Sequence, residues 1–228
     1  MTDAAIRSIP TSAPPPSGVD LQSMAVAPRL SSADSLGKRF IDIVGAGLAL
    51  LLFLPLMVTI AFAIRAESPG PVIFRQRRTG HQGRIFTIYK FRTMTVTEDC
   101  ANVRQATRGD QRVTGVGAIL RKLSLDELPQ FLNVLQGHMS LVGPRPHALA
   151  HDDHYGARIA AYADRFRAKP GLTGLAQVNG LRGEIHDQRG MQDRIDADNL
   201  YIDAWSVGLD VAILARTVLI IFRDPQAY

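Results

Sequence analysis

The 228 residues suffice for one domain of ordinary size with an appendage and are too few for two large ones. A hydrophobic share of 46% with 21% charged residues excludes wholesale disorder, and a single cysteine, Cys100, excludes an internal disulfide framework or a multi-cysteine metal site. Lys and Arg outnumber Asp and Glu by 26 to 21, and the resulting +5 suits a polyanionic partner: nucleic acid, anionic lipid or a phosphorylated substrate.

Residues 1–34 carry Pro10, Pro14, Pro15, Pro16 and Pro28 among Ser, Ala and Thr, without periodicity. Such a stretch buries too little apolar surface to offset its ordering entropy, so a disordered N-terminal tail is expected, and no secretory signal pattern is present in it. From 40 to 64 the chain is apolar, with Asp42 as its only charge. About 20 apolar residues cross a bilayer, so a membrane helix is expected over 36–66. Pro55 inside it removes a backbone hydrogen bond and predicts a kink. Lys38 and Arg39 flank one end and Arg65 the other, which leaves two topologies: a kinked span, or a helix that dips into one leaflet and returns.

Residues 67–228 read as a compact body. Ser68-Pro69-Gly70-Pro71 is a turn cluster, and strands are expected over 72–75 and 84–92 around a hairpin turn at 79–83. The polar stretch 104–113 reads as loop, and helical patterns begin at 117–123 and 125–135. Residues 142–146 form a rigid loop, because prolines bracket Arg145. A helix is expected over 148–166, a glycine-rich structured loop over 169–183, and a C-terminal helix over 203–222 that either docks on the core or lies among lipid headgroups. The fold class is therefore α+β, mostly helical, with a small β-hairpin.

Three features carry chemistry. Asp126 and Glu127 are adjacent acids where a helix begins. Ser124 with Glu127 also matches a capping box, and Asp126 could itself cap ahead of Pro129. A carboxylate so placed can act as nucleophile or metal ligand. Lys90 and Arg92 lie two residues apart on a strand, hence on one face; they either flank an anion or protect an exposed edge. Arg145, aimed by its prolines, has the fork that matches phosphate oxygens. An acidic pair, three cations and an embedded helix together suit transfer of a phosphoryl group onto a lipid, a reaction that neutralises diphosphate with Arg/Lys clamps and a divalent ion.

Six ordered blocks carry a resemblance to a known family: 38–42 (KRFID), 68–72 (SPGPV), 89–94 (YKFRTM), 124–130 (SLDELPQ), 139–146 (MSLVGPRP) and 169–180 (KPGLTGLAQVNG). The chain resembles the bacterial sugar transferases, monotopic phosphoglycosyl transferases that initiate exopolysaccharide and glycoconjugate assembly. The resemblance implies that Asp126 is the nucleophile and attacks the β-phosphate of a UDP-sugar, releasing UMP and holding a covalent sugar phosphate. Undecaprenyl phosphate then takes the sugar 1-phosphate. It further implies that Glu127 is the partner acid associated with Mg²⁺, and that Lys90, Arg92 and Arg145 bind phosphate. The membrane helix is implied to be re-entrant and broken at Pro55, with the catalytic part on the cytoplasmic face of the bacterial inner membrane. Leu54 stands where family members usually have serine, so the hydrogen bonding of the kink differs from theirs.

The stretch 177–184 resembles glucose- or galactose-1-phosphate transferases more than those using acetamido sugars, which remain the alternative within the family. Implied partners are the UDP-sugar, undecaprenyl phosphate and membrane lipid, with downstream glycosyltransferases or a homo-oligomer as further candidates. A non-catalytic membrane scaffold is the alternative of a different class. Nucleic-acid binding is not expected, since no aromatic stacking surface or groove-reading motif accompanies the basic residues.

Overall fold

The computed structural model describes residues 35–95, 110–181, 183 and 187–223. The expected N-terminal tail, most of the 104–113 loop and Cys100 lie outside these residues.

Helix α1, Leu36–Glu67, is continuous through Pro55. Ser35 caps it, its hydroxyl accepting from the Lys38 amide at 3.3 Å. Thr59 Oγ1 donates back to the Pro55 carbonyl at 3.0 Å, the kind of bond that competes with the helix ladder. Among the described residues α1 is the one helix long and apolar enough to cross a membrane, by length and composition. Its middle exposes Leu48, Leu51, Leu52, Leu54 and Phe62 on one face, while Leu50, Phe53 and Met57 are partly buried against the core.

Both ends of α1 are held by the rest of the chain. Lys38 pairs with Asp210 at 2.7 Å, Arg39 donates to the carbonyls of Val134 and Leu135, and Asp42 accepts from Ser140 Oγ and the Leu141 amide, each at 2.9 Å. At the other end Glu67 accepts from the Val116 amide at 3.0 Å, and Ile60 and Ile64 enter the core. The charges flanking the apolar run are thus largely occupied by protein partners, which weakens them as a guide to topology.

Strands β1, Ile73–Thr79, and β2, Ile85–Phe91, form an antiparallel hairpin whose register runs from Ile73 opposite Phe91 to Thr79 opposite Ile85. β1 extends beyond the expected 72–75, its pairing with β2 continuing through Gln76, Arg77, Arg78 and Thr79. The turn holds Gln82 and Gly83 at positive φ. Helix α2 is Gly115–Lys122. The helix expected over 125–135 is divided at Pro129 into a 3₁₀ turn, Leu125–Glu127, and α3, Gln130–Leu135.

Two short strands, β3 (Ser140–Val142) and β4 (Gly171–Thr173), pair in parallel. The helix expected over 148–166 is instead α4, Leu149–Gly156, followed by a 3₁₀ segment, Tyr162–Arg167. Gly156 is a poor helix former, and the break turns Tyr162 and Arg165 inward. The glycine-rich stretch contains the short α5, Leu175–Val178. Sequence reading did not anticipate α6, Gln188–Asp203, capped by Asp187. Its buried face is Met191, Arg194, Ile195, Asp198, Tyr201 and Ile202, a helical spacing disguised by two charged members.

Helix α7, Val207–Arg223, begins after a break that leaves Trp205 in the connection. It docks through Asp210 and Ile213 and exposes Val211, Val218 and Leu219. The main core gathers side chains from α1, β2, α2, α3, β3, α6 and α7, and a smaller cluster of Ile159, Tyr162, Met191 and Ile195 lies under the 3₁₀ segment and α6.

Candidate active site

Pro129 lacks an amide donor and ends the 3₁₀ turn, which leaves Asp126 and Glu127 on one tight turn at the head of α3. Ser124, in the left-handed region at φ 57, makes no side-chain cap there, so the capping-box geometry is not formed. Glu127 is instead engaged from two sides. Lys90 on β2 donates to Oε1 at 2.7 Å; Arg145 donates to Oε1 at 2.5 Å and to Oε2 at 3.2 Å. Two positive side chains, 37 and 18 positions away in sequence, thus meet on one carboxylate.

Asp126 is treated differently. Among the described residues it makes no hydrogen bond, and its one ion pair, to Lys90, is long at 3.8 Å. Its side chain is 13% exposed. Burial pushes its carboxyl above the usual range; the Lys90 charge pulls it back, the adjacent Glu127 pushes it up again, and Arg121 and Arg145 oppose that. The result is a carboxylate with unengaged lone pairs, next to one whose oxygens are held by cations.

Lys90 is placed by the far end of α3. The buried Asn133 amide donates to the Thr87 carbonyl at 2.7 Å and accepts from the Tyr89 amide at 3.0 Å, acting as a surrogate strand along β2. Arg145 is placed by its loop: Gly143 donates to Thr173 at 2.9 Å, and Gly171 donates to Pro144 at 2.8 Å. A Cβ on Gly143, Gly171 or Gly174 would collide with backbone of the facing segment. The glycines of the 139–146 and 169–180 motifs let two main chains touch.

Arg92 serves elsewhere. Its guanidinium donates to the carbonyls of Pro69 and Ser68, each at 2.8 Å, and to Ser68 Oγ at 2.9 Å, fastening the turn that follows α1 to the end of β2. Asp126, Glu127, Lys90 and Arg145 are brought together; Arg92 braces the turn that follows α1, and Pro55 lies within the exposed part of α1. Behind Arg145 lie polar residues that the sequence reading did not single out. Arg165 bonds to Asp198, and burial together with the Arg145 charge lowers the buried Arg194 to about 10, so it stays protonated near neutrality.

Among the described residues no three His, Cys, Asp or Glu side chains form a metal centre. Magnesium is commonly held by one or two carboxylates together with substrate phosphates. The Asp126–Glu127 donor set fits an ion shared with a phosphorylated substrate.

A family model described as "Bacterial sugar transferase" matches residues 33–224. The chain is 56% identical over 196 residues to the "UDP-glucose:undecaprenyl-phosphate glucose-1-phosphate transferase" of Caulobacter vibrioides, covering 86% of this chain and 73% of that protein. It is 51% identical to the protein of the same name from Escherichia coli strain K12, over 87% of this chain and 43% of that one. To the "UDP-N-acetylgalactosamine-undecaprenyl-phosphate N-acetylgalactosaminephosphotransferase" of Aeromonas hydrophila it is 45% identical, over 79% and 42%. The family model spans every described residue, and the chain belongs to the bacterial sugar transferase family, a family of transferases.

Proposed function

We propose that this protein transfers a hexose 1-phosphate, glucose or galactose by preference, from a UDP-sugar to undecaprenyl phosphate as the first membrane step of exopolysaccharide or glycoconjugate synthesis. The observation that carries the mechanism is the contrast between the two acids: Glu127 is held by Lys90 and Arg145, whereas Asp126 keeps its oxygens unbonded. An Asp126 oxygen attacks the β-phosphorus, the bond to the bridging oxygen breaks, and UMP leaves with that electron pair. An oxygen of undecaprenyl phosphate then attacks the same phosphorus and releases the Asp126 carboxylate, yielding undecaprenyl diphosphate-sugar.

Lys90 and Arg145 bind the diphosphate oxygens and offset the negative charge that would otherwise repel the attacking carboxylate. Glu127 orients both cations. Glu127 would hold Mg²⁺ together with the donor's phosphates, and the ion would supply Lewis-acid neutralisation of the leaving group.

The helix α1 we read as re-entrant. Its two ends contact one and the same body through Lys38, Arg39 and Asp42 on one side and Glu67 on the other, while its middle offers apolar side chains outward. That arrangement favours a helix entering and leaving one leaflet, with the catalytic body at the cytoplasmic face of the inner membrane. Cysteines at Gly37 and Ala66, both exposed, in a Cys100→Ser background should label from one side only; labelling from opposite sides excludes re-entry.

The decisive experiment for the reaction is UMP release from UDP-glucose with Mg²⁺ and undecaprenyl phosphate, comparing wild type with Asp126→Asn, and mass spectrometry of the trapped enzyme. The wild type should show an adduct on Asp126 and the variant neither adduct nor UMP. Unimpaired release by the variant refutes the covalent route. Similarity to an N-acetylgalactosamine phosphotransferase supports a second donor class, which a panel of UDP-hexoses and UDP-acetamido sugars distinguishes.

A further inference from the structure

Beneath the Arg145 loop lies a buried polar hub that the mechanism above does not use. Arg165, 2% exposed, donates through NH2 to the Arg145 carbonyl and, at 2.8 Å, to Asp198 Oδ2 on α6. Through NH1 it donates to His147 Nδ1 at 2.7 Å and lies 3.9 Å from Asp152 of α4. Tyr162 completes the hub, donating to Asp152 Oδ1 at 2.6 Å. Burial, reinforced by the neighbouring Arg165 charge, holds His147 well below the usual imidazole range, so its ring is neutral and accepts from the guanidinium.

A buried cation is costly unless it is paired and its donors are used. Here two carboxylates supply the countercharge, and donors are directed at the residues on either side of Pro146. That allocation matters because of what the prolines leave undetermined. They lock φ at 144 and 146 and bias the preceding residues toward extended backbone, yet φ at Arg145 itself stays adjustable. Fixing the Arg145 carbonyl from below removes that freedom and sets the line along which its side chain leaves the loop, toward Glu127 at 2.5 Å.

We infer that Arg165 is a positioning residue for the transfer reaction, acting through Arg145: it holds the Arg145 carbonyl and the His147 ring so that the Arg145 guanidinium meets Glu127 and the donor's phosphates. The inference rests on the function proposed above. Its distinguishing consequence is non-additivity, since a residue that works only through Arg145 has nothing left to contribute once Arg145 is impaired.

The experiment uses the full-length enzyme in detergent or nanodiscs, with UDP-glucose, Mg²⁺ and undecaprenyl phosphate, and compares wild type, Arg165→Lys, Arg145→Lys and the double variant. Rates are normalised to folded protein by thermal unfolding. Arg165→Lys, which keeps the charge and loses the fork, should lower kcat by up to about 10²-fold, the scale of a small misplacement of a reacting group. The double variant should be no slower than Arg145→Lys alone. Losses that multiply overturn the inference and leave the proposed function standing. A wild type that releases no UMP overturns both. Should Arg165→Lys not fold, Asp198→Asn, which removes the countercharge with little change of shape, replaces it in the same cycle with the same expected and refuting outcomes.

Discussion

Lys90 Nζ lies 2.7 Å from Glu127 Oε1 and so ties the second strand of the hairpin to the turn that carries both acids. The contact makes Lys90 a regulator of Asp126 as well, because its charge lowers the Asp126 carboxyl against the push of burial while Glu127 raises it. Asp126 attacks only when ionised, so its raised position places the acid limb of kcat/KM above the ordinary aspartate value near ~3.9. Lys90→Met removes a positive neighbour, raises the Asp126 carboxyl further and moves that limb to higher pH. Glu127→Gln removes a negative neighbour and moves it to lower pH. Both variants should turn over at least about tenfold more slowly, in keeping with the loss of an electrostatic clamp; pH–rate profiles of the residual activity read the two opposite displacements.

Arg92 separates bracing from phosphate binding. Its two terminal nitrogens donate to Ser68 and Pro69, so Arg92→Lys should lower the unfolding free energy by about 2 kcal/mol, the loss expected for charge-assisted hydrogen bonds left partly unmade. The KM for the UDP-sugar should not change in the folded fraction. Denaturant unfolding in detergent alongside steady-state kinetics checks both; a raised KM with unaltered stability would return Arg92 to the phosphate site.

Gly171 is where two motifs touch. An alanine Cβ there would meet the Gly143 amide and the Thr173 carbonyl, which cannot withdraw without disturbing the β3–β4 pairing. Gly171→Ala should cost about 1–3 kcal/mol by overpacking and, because the displaced loop carries Arg145, should reduce activity more than stability alone explains. Thermal midpoints and kcat of the same preparation provide the comparison.

Lys38 anchors the first turn of α1. Its ammonium and the Asp210 carboxylate are both nearly fully buried, with Tyr201 and Trp205 completing the cluster through bonds to Asp210 at 2.8 and 3.1 Å. Lys38→Met strands the Asp210 charge and should destabilise the protein by about 3–5 kcal/mol. Adding Asp210→Asn should recover part of that loss, measured by denaturant unfolding; an additive further loss would show that the pairing is not the source of the cost.

The amino-acid sequence by itself determined the hairpin, the long apolar helix and the rigid Pro144–Pro146 loop, because turn residues and hydrophobic runs are local properties; it grouped Asp126, Glu127, Lys90, Arg92 and Arg145 as one set, of which the structure brings together all but Arg92. It misread the span 148–166 as one helix and overlooked α6, whose buried face includes Arg194 and Asp198 and so lacks an apolar stripe. Tertiary structure alone decided which acid is held and which is left unbonded, and that Arg92 braces a turn while Arg145 reaches Glu127. Those outcomes depend on distances between segments far apart in the chain, and a charge is neutral in its implications until burial and packing choose its partner.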